Sequence, residues 1–245
     1  MDDVSKLNFI DVYNSKKPQI IQKELIADTE TPISSLIKLS ANEKYSFLLE
    51  SVEGGDQRGR FSLLGCDPDI IWKVKDSIVN VKSLDKNLNL NFLSKEPIKS
   101  LKQLINFSKI NRDLNHPPFP TLVGYFGYPM IQLMEKINLQ NHDEINIPDA
   151  IMIRPKLVAV FDNIKDTINI MTSVYPNKNI KAEEALKNSE EYVNQAIMKL
   201  NKDIPLNLFN LAKNDKNIKF HSNYTKKEYY NIIEKAKTYI KKGDI

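Results

Sequence analysis

Short runs of strand-forming residues, separated by turn-forming residues, follow one another between residues 45 and 92. The runs are Tyr45 to Ser51, Arg60 to Gly65, Ile70 to Val74, Ser77 to Lys82 and Asn89 to Phe92. No helical pattern separates them, and parallel strands would need a long crossover of that kind. The pattern therefore predicts an antiparallel meander, and we expect Tyr45 to Ser51 to be a buried strand.

Helical patterns and further strands surround this meander. The predicted helices are Pro32 to Leu39, Pro97 to Ile110, Pro129 to Ile137 and Glu183 to Leu200. The predicted strands are Leu122 to Tyr128, Lys156 to Phe161 and Thr167 to Val174, the last two forming a hairpin. Thr31 suits the N-cap before Pro32. Because strands and helices do not alternate as βαβ units, we expect an α+β fold with mostly antiparallel sheets packed with helices.

The last segment has the clearest helical pattern in the chain. Thr225 and Glu228 form a capping box, and Gly243 suits a left-handed C-cap. The apolar residues of this helix fall on one face: Tyr229, Ile232, Ile233, Ala236 and Ile240. That face needs a partner, so the pattern indicates a truncated chain. We expect a first domain over 1–201, a polar linker over 202–220, and the first helix of a second domain over 221–245.

Composition restricts the classes of function. The formal net charge is +4, from 35 basic and 31 acidic residues, and no concentrated Lys/Arg arm is present, which argues against nucleic-acid binding. The one cysteine forms no intrachain disulfide and no cysteine metal cluster. No apolar run approaches the ~20 residues of a membrane span. These features predict a cytoplasmic globular protein without a membrane partner.

A glycine-rich loop and its flanks form the candidate binding site. Gly54, Gly55 and Gly59 match neither the dinucleotide fingerprint nor the P-loop, so a tight turn is expected there. Glu50 and Ser51 end the preceding strand. They are either a polar strand end at the surface or part of a ligand site that holds an ammonium group beside apolar side chains.

Two arginines follow the loop. Arg58 and Arg60 could pair with Glu50 or with a ligand carboxylate, and the alternative is a solvated pair of arginines. Farther along, Tyr125, Phe126 and Tyr128 are more typical of core packing than of a site. The sequence shows no nucleophile set and no carboxylate cluster with metal spacing, so we name no catalytic residue and no metal ligand.

Several blocks of the sequence resemble anthranilate synthase component I. The most specific runs from Phe47 to Gly55 and continues from Arg58 to Gly65. Supporting blocks are Glu24 to Pro32, Gly124 to Tyr128, Arg154 to Asp162 and Ser222 to Ile245. The resemblance implies the enzyme that converts chorismate and ammonia into anthranilate and pyruvate, the committed step of tryptophan biosynthesis. The ammonia comes from glutamine through a partner, the glutamine amidotransferase subunit (component II).

The resemblance also implies where the chemistry lies. In this family Mg²⁺, its carboxylate ligands and the acid and base groups belong to a C-terminal chorismate-binding domain that is almost wholly missing here. The Leu49, Glu50 and Ser51 stretch is implied to form part of the allosteric L-tryptophan site, with Arg60 as a further member. The rest of that site comes from a Pro-Tyr-Met type segment in the missing domain, so the inhibitor would bridge two domains.

Two alternatives stay open at this point. Component I of aminodeoxychorismate synthase shares the fold and a similar tryptophan pocket, although the Glu50 to Gly55 block resembles anthranilate synthase more. The second alternative belongs to another class of protein: a regulatory module that binds an amino acid and has no catalytic activity. A chorismate-binding domain encoded downstream of Ile245 would indicate an enzyme, whereas a genuine stop there would favour the module.

Overall fold

The computed structural model describes residues 3–41, 43–50, 52–53, 57–85, 88–110, 117–137, 139, 145–204 and 221–244. The chain divides into unit 1, residues 1–204, and unit 2, residues 205–245. The helices are α1 (Asp3–Asn14), α2 (Pro32–Ser40), α3 (Pro97–Ser108), α4 (Ala182–Leu200), α5 (Lys226–Lys242) and a 3-10 helix at Tyr128–Leu133. The strands are β1 (Gln19–Ile26), β2 (Ser46–Leu49), β3 (Val52–Glu53), β4 (Gln57–Arg58), β5 (Phe61–Lys75), β6 (Ile78–Ser83), β7 (Val123–Phe126), β8 (Ala150–Asp162) and β9 (Thr167–Val174).

Unit 1 is built on one antiparallel sheet. The strand order is β1-β9-β8-β5-β2, with β6 also pairing with β5 and β7 with β8. Every pairing is antiparallel, and β3 and β4 form a separate two-stranded hairpin. The central strands β5 and β8 are 15 and 13 residues long. This architecture confirms the α+β prediction of antiparallel strands packed with helices.

Strand β5 joins two runs that the sequence separates. A register shift between Pro68 and Ile70 marks a bulge, and Asp67 just before it has a φ of 50°. Proline has no N–H to give to the ladder and is tolerated at such an irregularity. Because the strand bends there without ending, one strand supplies two separate cores.

Helices cover both parts of β5. Leu64 and Cys66, before the bulge, are buried in a cluster with side chains of α1, α2 and α4. Trp72, after the bulge, is fully buried with Leu104 of α3, and its Nε1 donates a 3.0 Å hydrogen bond to Ser100 Oγ. A third cluster on the sheet contains Val158, Val160, Met171, Ile110 and Phe119.

The predicted helix caps are confirmed. Thr31 Oγ1 accepts a 3.0 Å hydrogen bond from the Ser34 N–H at the start of α2. The capping box of α5 forms between Thr225 and Glu228, and Gly243 closes the helix in the left-handed region with a φ of 75°. These local contacts were predictable because each uses residues no more than four positions apart.

Several other predictions need correction. The run Asn89 to Phe92 is not a strand, and Pro129 to Ile137 contains only the short 3-10 helix. Strand β2 is an edge strand, and none of its residues is buried, because only β5 pairs with it. The predicted linker lies outside the described residues from position 205, and the predicted domain limits stay predictions. No helix in the described parts of the chain has the length and hydropathy of a membrane span.

The aromatic residues on and after β7 are exposed, contrary to the core packing expected for them. Tyr125, Phe126 and Tyr128 are 39%, 52% and 69% exposed. Gly124 leaves no room for a side chain, because a Cβ built there would lie 1.8 Å from the Ile151 carbonyl oxygen. The glycine therefore lets β7 approach β8, while the neighbouring rings stay at the surface.

Candidate functional site

The predicted effector residues lie at one end of the sheet. Leu49, the last residue of β2, pairs with Leu63 of β5, and Phe61 at the start of β5 pairs with Asp162 at the end of β8. Antiparallel neighbours place the end of one strand beside the beginning of the next, about 4.8 Å away. The end of β2, the start of β5 and the end of β8 therefore converge.

Strand β2 packs closely against the backbone of β5. The ring of Phe47 lies against Gly65, where a built Cβ would be only 2.5 Å from Phe47 Cε1. On the other side of the strand, Leu48 packs against the helix-covered cluster. Leu49 is 49% exposed and Glu50 is also exposed. The strand thus ends with an apolar side chain and a carboxylate that are open to a ligand.

Ser51 and the side chain of Arg58 lie outside the described part of the predicted site. Arg60 immediately precedes β5. The sequence left open whether this arginine pairs with Glu50, with a ligand or with solvent.

Arg60 forms an ion pair with Asp162 across 102 residues of sequence. Arg60 Nη2 donates to Asp162 Oδ2 at 2.9 Å, and Nε lies 3.3 Å from both carboxylate oxygens. The carboxylate side chain is 7% exposed and the arginine side chain 49% exposed. The guanidinium carbon also lies 4.7 Å from the centre of the Phe61 ring. The pair is therefore half open to solvent, with the acid as its buried partner.

The environment keeps Asp162 ionised. Burial is the largest influence on the pKa of this carboxyl and raises it. The hydrogen bonds from Arg60 and from the Ile164 N–H, together with the Arg60 charge, outweigh burial and hold the pKa below its ordinary value. The same hydrogen bond raises the pKa of Arg60. A charged carboxylate therefore faces the arginine over the whole neutral range.

The turn between β8 and β9 also holds the chain that leads into β5. The Asn163 N–H donates to the Arg60 carbonyl oxygen at 2.8 Å. Asn163 Nδ2 donates to the Gly59 carbonyl oxygen at 2.8 Å and lies 3.4 Å from Ser62 Oγ. Asn163 thus binds two adjacent carbonyl groups at the end of the glycine loop, one through its side chain and the other through its backbone N–H.

In the hairpin predicted between Lys156 and Val174, Asp162 and Asn163 are only residues of the turn. Asp162 caps its own turn by accepting from the Ile164 and Lys165 N–H groups at 3.1 and 3.4 Å, and a turn-forming Asp predicts that much. The contacts with Arg60 and Gly59 depend on the pairing of β5 with β8, for which the local sequence holds no indication. These residues extend the candidate site beyond the set found by sequence.

The arrangement is chemically suited to binding an amino acid. It places an exposed carboxylate, an exposed apolar side chain and a half-exposed guanidinium at one sheet end, and these groups can attract an ammonium group, an apolar body and a carboxylate respectively. Among the described residues, no group of three His, Cys, Asp or Glu side chains comes together in a way that could hold a metal ion.

Comparison with known proteins places the chain in the family described as chorismate binding enzyme. The sequence profile described as chorismate binding enzyme matches residues 45–245. Anthranilate synthase component 1 of Cereibacter sphaeroides is 34% identical over 230 residues, which cover 93% of this chain and 46% of that protein. The protein of the same name from Aquifex aeolicus is 29% identical over 225 residues, covering 91% and 44%. This chain spans about half the length of the curated relatives it matches.

A solved structure aligns with a similar share of this chain. Anthranilate synthase component I from Streptococcus pneumoniae aligns with 90% of this chain and 46% of its own, at 22% sequence identity and a TM-score of 0.48. The family assignment depends on the sequence profile, which matches most of the chain up to its last residue. The chain belongs to the chorismate binding enzyme family.

Proposed function

We propose that the protein containing this chain is an anthranilate synthase, a lyase that converts chorismate and ammonia into anthranilate and pyruvate for tryptophan biosynthesis. The observation that carries the proposal is the family match, together with relatives named anthranilate synthase component 1 along more than nine-tenths of the chain. A glutamine amidotransferase subunit is the proposed source of ammonia, since the relatives are named as one component of an enzyme.

This chain is proposed to sense tryptophan. Leu49, Glu50, Ser51 and Arg60 are the proposed effector residues, in part because Leu49, Glu50 and Arg60 lie at one end of the sheet. Glu50 would bind the ammonium group of tryptophan, and Arg60 its carboxylate. Remaining parts of the pocket are proposed to come from the half of the protein that the relatives have and this chain does not.

Catalysis is proposed to occur in that other half. Among the described residues, no three acidic, histidine or cysteine side chains come together as a group. Following the family resemblance, we propose that the Mg²⁺ ligands lie in the other half, and no step of the reaction is assigned to a side chain of this chain.

An assay of the full-length protein tests the proposed reaction. Purified protein is mixed with chorismate, Mg²⁺ and ammonium, and anthranilate is followed by its fluorescence, with and without L-tryptophan. We expect anthranilate to form and tryptophan to suppress it. Formation of aminodeoxychorismate without anthranilate would instead assign the protein to folate-precursor synthesis, and tryptophan binding without any turnover of chorismate would indicate a regulatory module.

A further inference from the structure

We infer that Asp162 and Asn163 are positioning residues for the tryptophan site: the β8–β9 turn fixes the end of the glycine loop and orients Arg60 toward the effector. This inference rests on the proposed function. It concerns two residues that do not contact the ligand themselves and that act through Arg60 and Gly59.

The turn itself fixes the carboxylate. Asp162 Oδ1 accepts hydrogen bonds from the Ile164 and Lys165 N–H groups, while Oδ2 accepts the short bond from Arg60 Nη2. The side chain is 7% exposed and has little freedom to change rotamer. Because the turn N–H groups hold Oδ1, the position of the turn determines where the carboxylate meets the guanidinium.

The backbone of the loop end is fixed by the same turn. Asn163 binds the Arg60 carbonyl through its N–H and the Gly59 carbonyl through its side chain, each at 2.8 Å. Together with the ion pair, these bonds hold Arg60 by both its side chain and its main chain. An arginine held in this way loses less conformational entropy when it binds a carboxylate.

One edge of the guanidinium remains available. Asp162 engages Nε and Nη2, and within the described residues no hydrogen bond reaches Arg60 Nη1. Arg60 precedes Leu63, the partner of Leu49, by three residues, which is about 10 Å of extended strand. A tryptophan zwitterion between Glu50 and Arg60 would therefore meet a carboxylate at one end and a pre-oriented N–H group at the other.

Substitutions in the full-length protein test the inference. Asp162→Asn keeps the shape of the side chain and removes the charge that holds Arg60, so we expect the tryptophan inhibition constant to rise by about tenfold or more. The KM for chorismate and the uninhibited kcat are measured in parallel, so that a change in tryptophan binding is separated from a change in catalysis. Asp166→Asn is the matched control, because it removes one negative charge from the same turn and asparagine tolerates the positive φ there.

A double-mutant cycle distinguishes positioning from a general effect on stability. If Asp162 acts through Arg60, the double variant Asp162→Asn/Arg60→Gln should be no less sensitive to tryptophan than Arg60→Gln alone. Additive losses would overturn the inference. So would equal shifts in Asp162→Asn and Asp166→Asn, or an inhibition constant within about twofold of the unsubstituted protein in folded Asp162→Asn.

Two further results complete the test. If Asp162→Asn does not fold, Arg60→Gln at its half-exposed position removes the same ion pair, and unchanged inhibition in that variant overturns the inference. The unsubstituted protein distinguishes a failure of the proposed function from a failure of the positioning role. Absence of anthranilate, or of inhibition by tryptophan, in that protein counts against the proposed function, whereas unchanged inhibition in the variants alone counts against the positioning role.

Discussion

At the scale of single residues, Glu50 and Ser51 make the sharpest prediction. In the full-length protein, Glu50→Ala or Ser51→Ala should weaken tryptophan inhibition by about ten- to a hundredfold. Loss of a charge-assisted hydrogen bond to a buried ligand is worth about 1.5–3 kcal/mol, at about 1.4 kcal/mol per tenfold change. The measurement is the tryptophan concentration that halves anthranilate formation.

The control for these variants is the uninhibited rate. Because we place the chemistry in the other half of the protein, kcat without tryptophan should remain close to that of the unsubstituted enzyme. Variants that stay fully sensitive to tryptophan would contradict the assignment. A joint loss of catalysis and inhibition would also contradict it, because the substitution would then have damaged the whole protein.

The buried thiol makes a second prediction at this scale. Burial raises the pKa of Cys66 from 9.0 to about 12, so the folded protein disfavours the thiolate. Since the folded pKa is the higher one, the contribution of the thiol to stability is fully present below pH 9 and is lost as pH rises toward 12. At pH 8 a thiol reagent should react slowly with the folded 245-residue chain and fast with the urea-unfolded chain.

Cys66 is the single cysteine of these 245 residues, so the extent of thiol labelling reports on this residue alone. Cys66→Ser provides the blank. Fast stoichiometric labelling of the folded chain would show that the thiol is accessible, and it would contradict the packing of Cys66 under α2, where its sulfur lies 3.7 Å from the Leu39 carbonyl oxygen.

At the scale of elements, the turn of the β5–β6 hairpin has a backbone conformation that glycine adopts with less strain than the residues present there. Asp76 and Ser77 have φ values of 49° and 62°, and Ser77 is exposed. A side chain in this region is strained, and glycine removes that strain at some cost in unfolded-state entropy. Ser77→Gly should raise the free energy of unfolding by about 0.5 kcal/mol, measured by urea denaturation with Trp72 fluorescence.

Ser77→Val is the opposite control for the hairpin. A β-branched residue at positive φ is strongly disfavoured, so this variant should be less stable than the unsubstituted chain. A Ser77→Gly variant that is less stable than the starting protein would show that the serine side chain itself stabilises the turn.

Helix α5 in unit 2 should exchange its amide hydrogens rapidly. None of its residues is buried, and Tyr229, Ile232 and Ile240 are 57%, 46% and 61% exposed. A 17-residue helix with a good cap is marginal without tertiary packing. In the 245-residue chain, hydrogen exchange should therefore show weak protection of α5 beside strong protection of β5 and β8. Equal protection would mean that the helix packs as part of a complete domain.

The elements also show how far sequence reasoning reaches. The caps at Thr31 and Thr225 were predictable because their partners are three residues away. The continuity of β5 through Pro68 was not, because the neighbouring β8 decides whether a proline ends a strand or forms a bulge. The same limit applies to the candidate site: a motif identified Glu50 and Arg60, but only the pairing of β5 with β8 brings Asp162 to Arg60.

At the scale of the whole molecule, we propose two roles for two parts of one protein. The described residues contain a folded α+β unit with a candidate amino-acid site. The relatives are about twice as long as this chain. We therefore expect tryptophan sensing to depend on this half, and the chemistry on chorismate to depend on the other.

One measurement tests this division most directly. The 245-residue chain and the full-length protein are each incubated with chorismate, Mg²⁺ and ammonium, and anthranilate fluorescence is recorded after Trp72 emission has shown that the chain is folded. We expect anthranilate from the full-length protein and none above the protein-free background from the chain. Sustained anthranilate formation by the chain would contradict this division of roles, because the catalytic groups would then lie within these 245 residues.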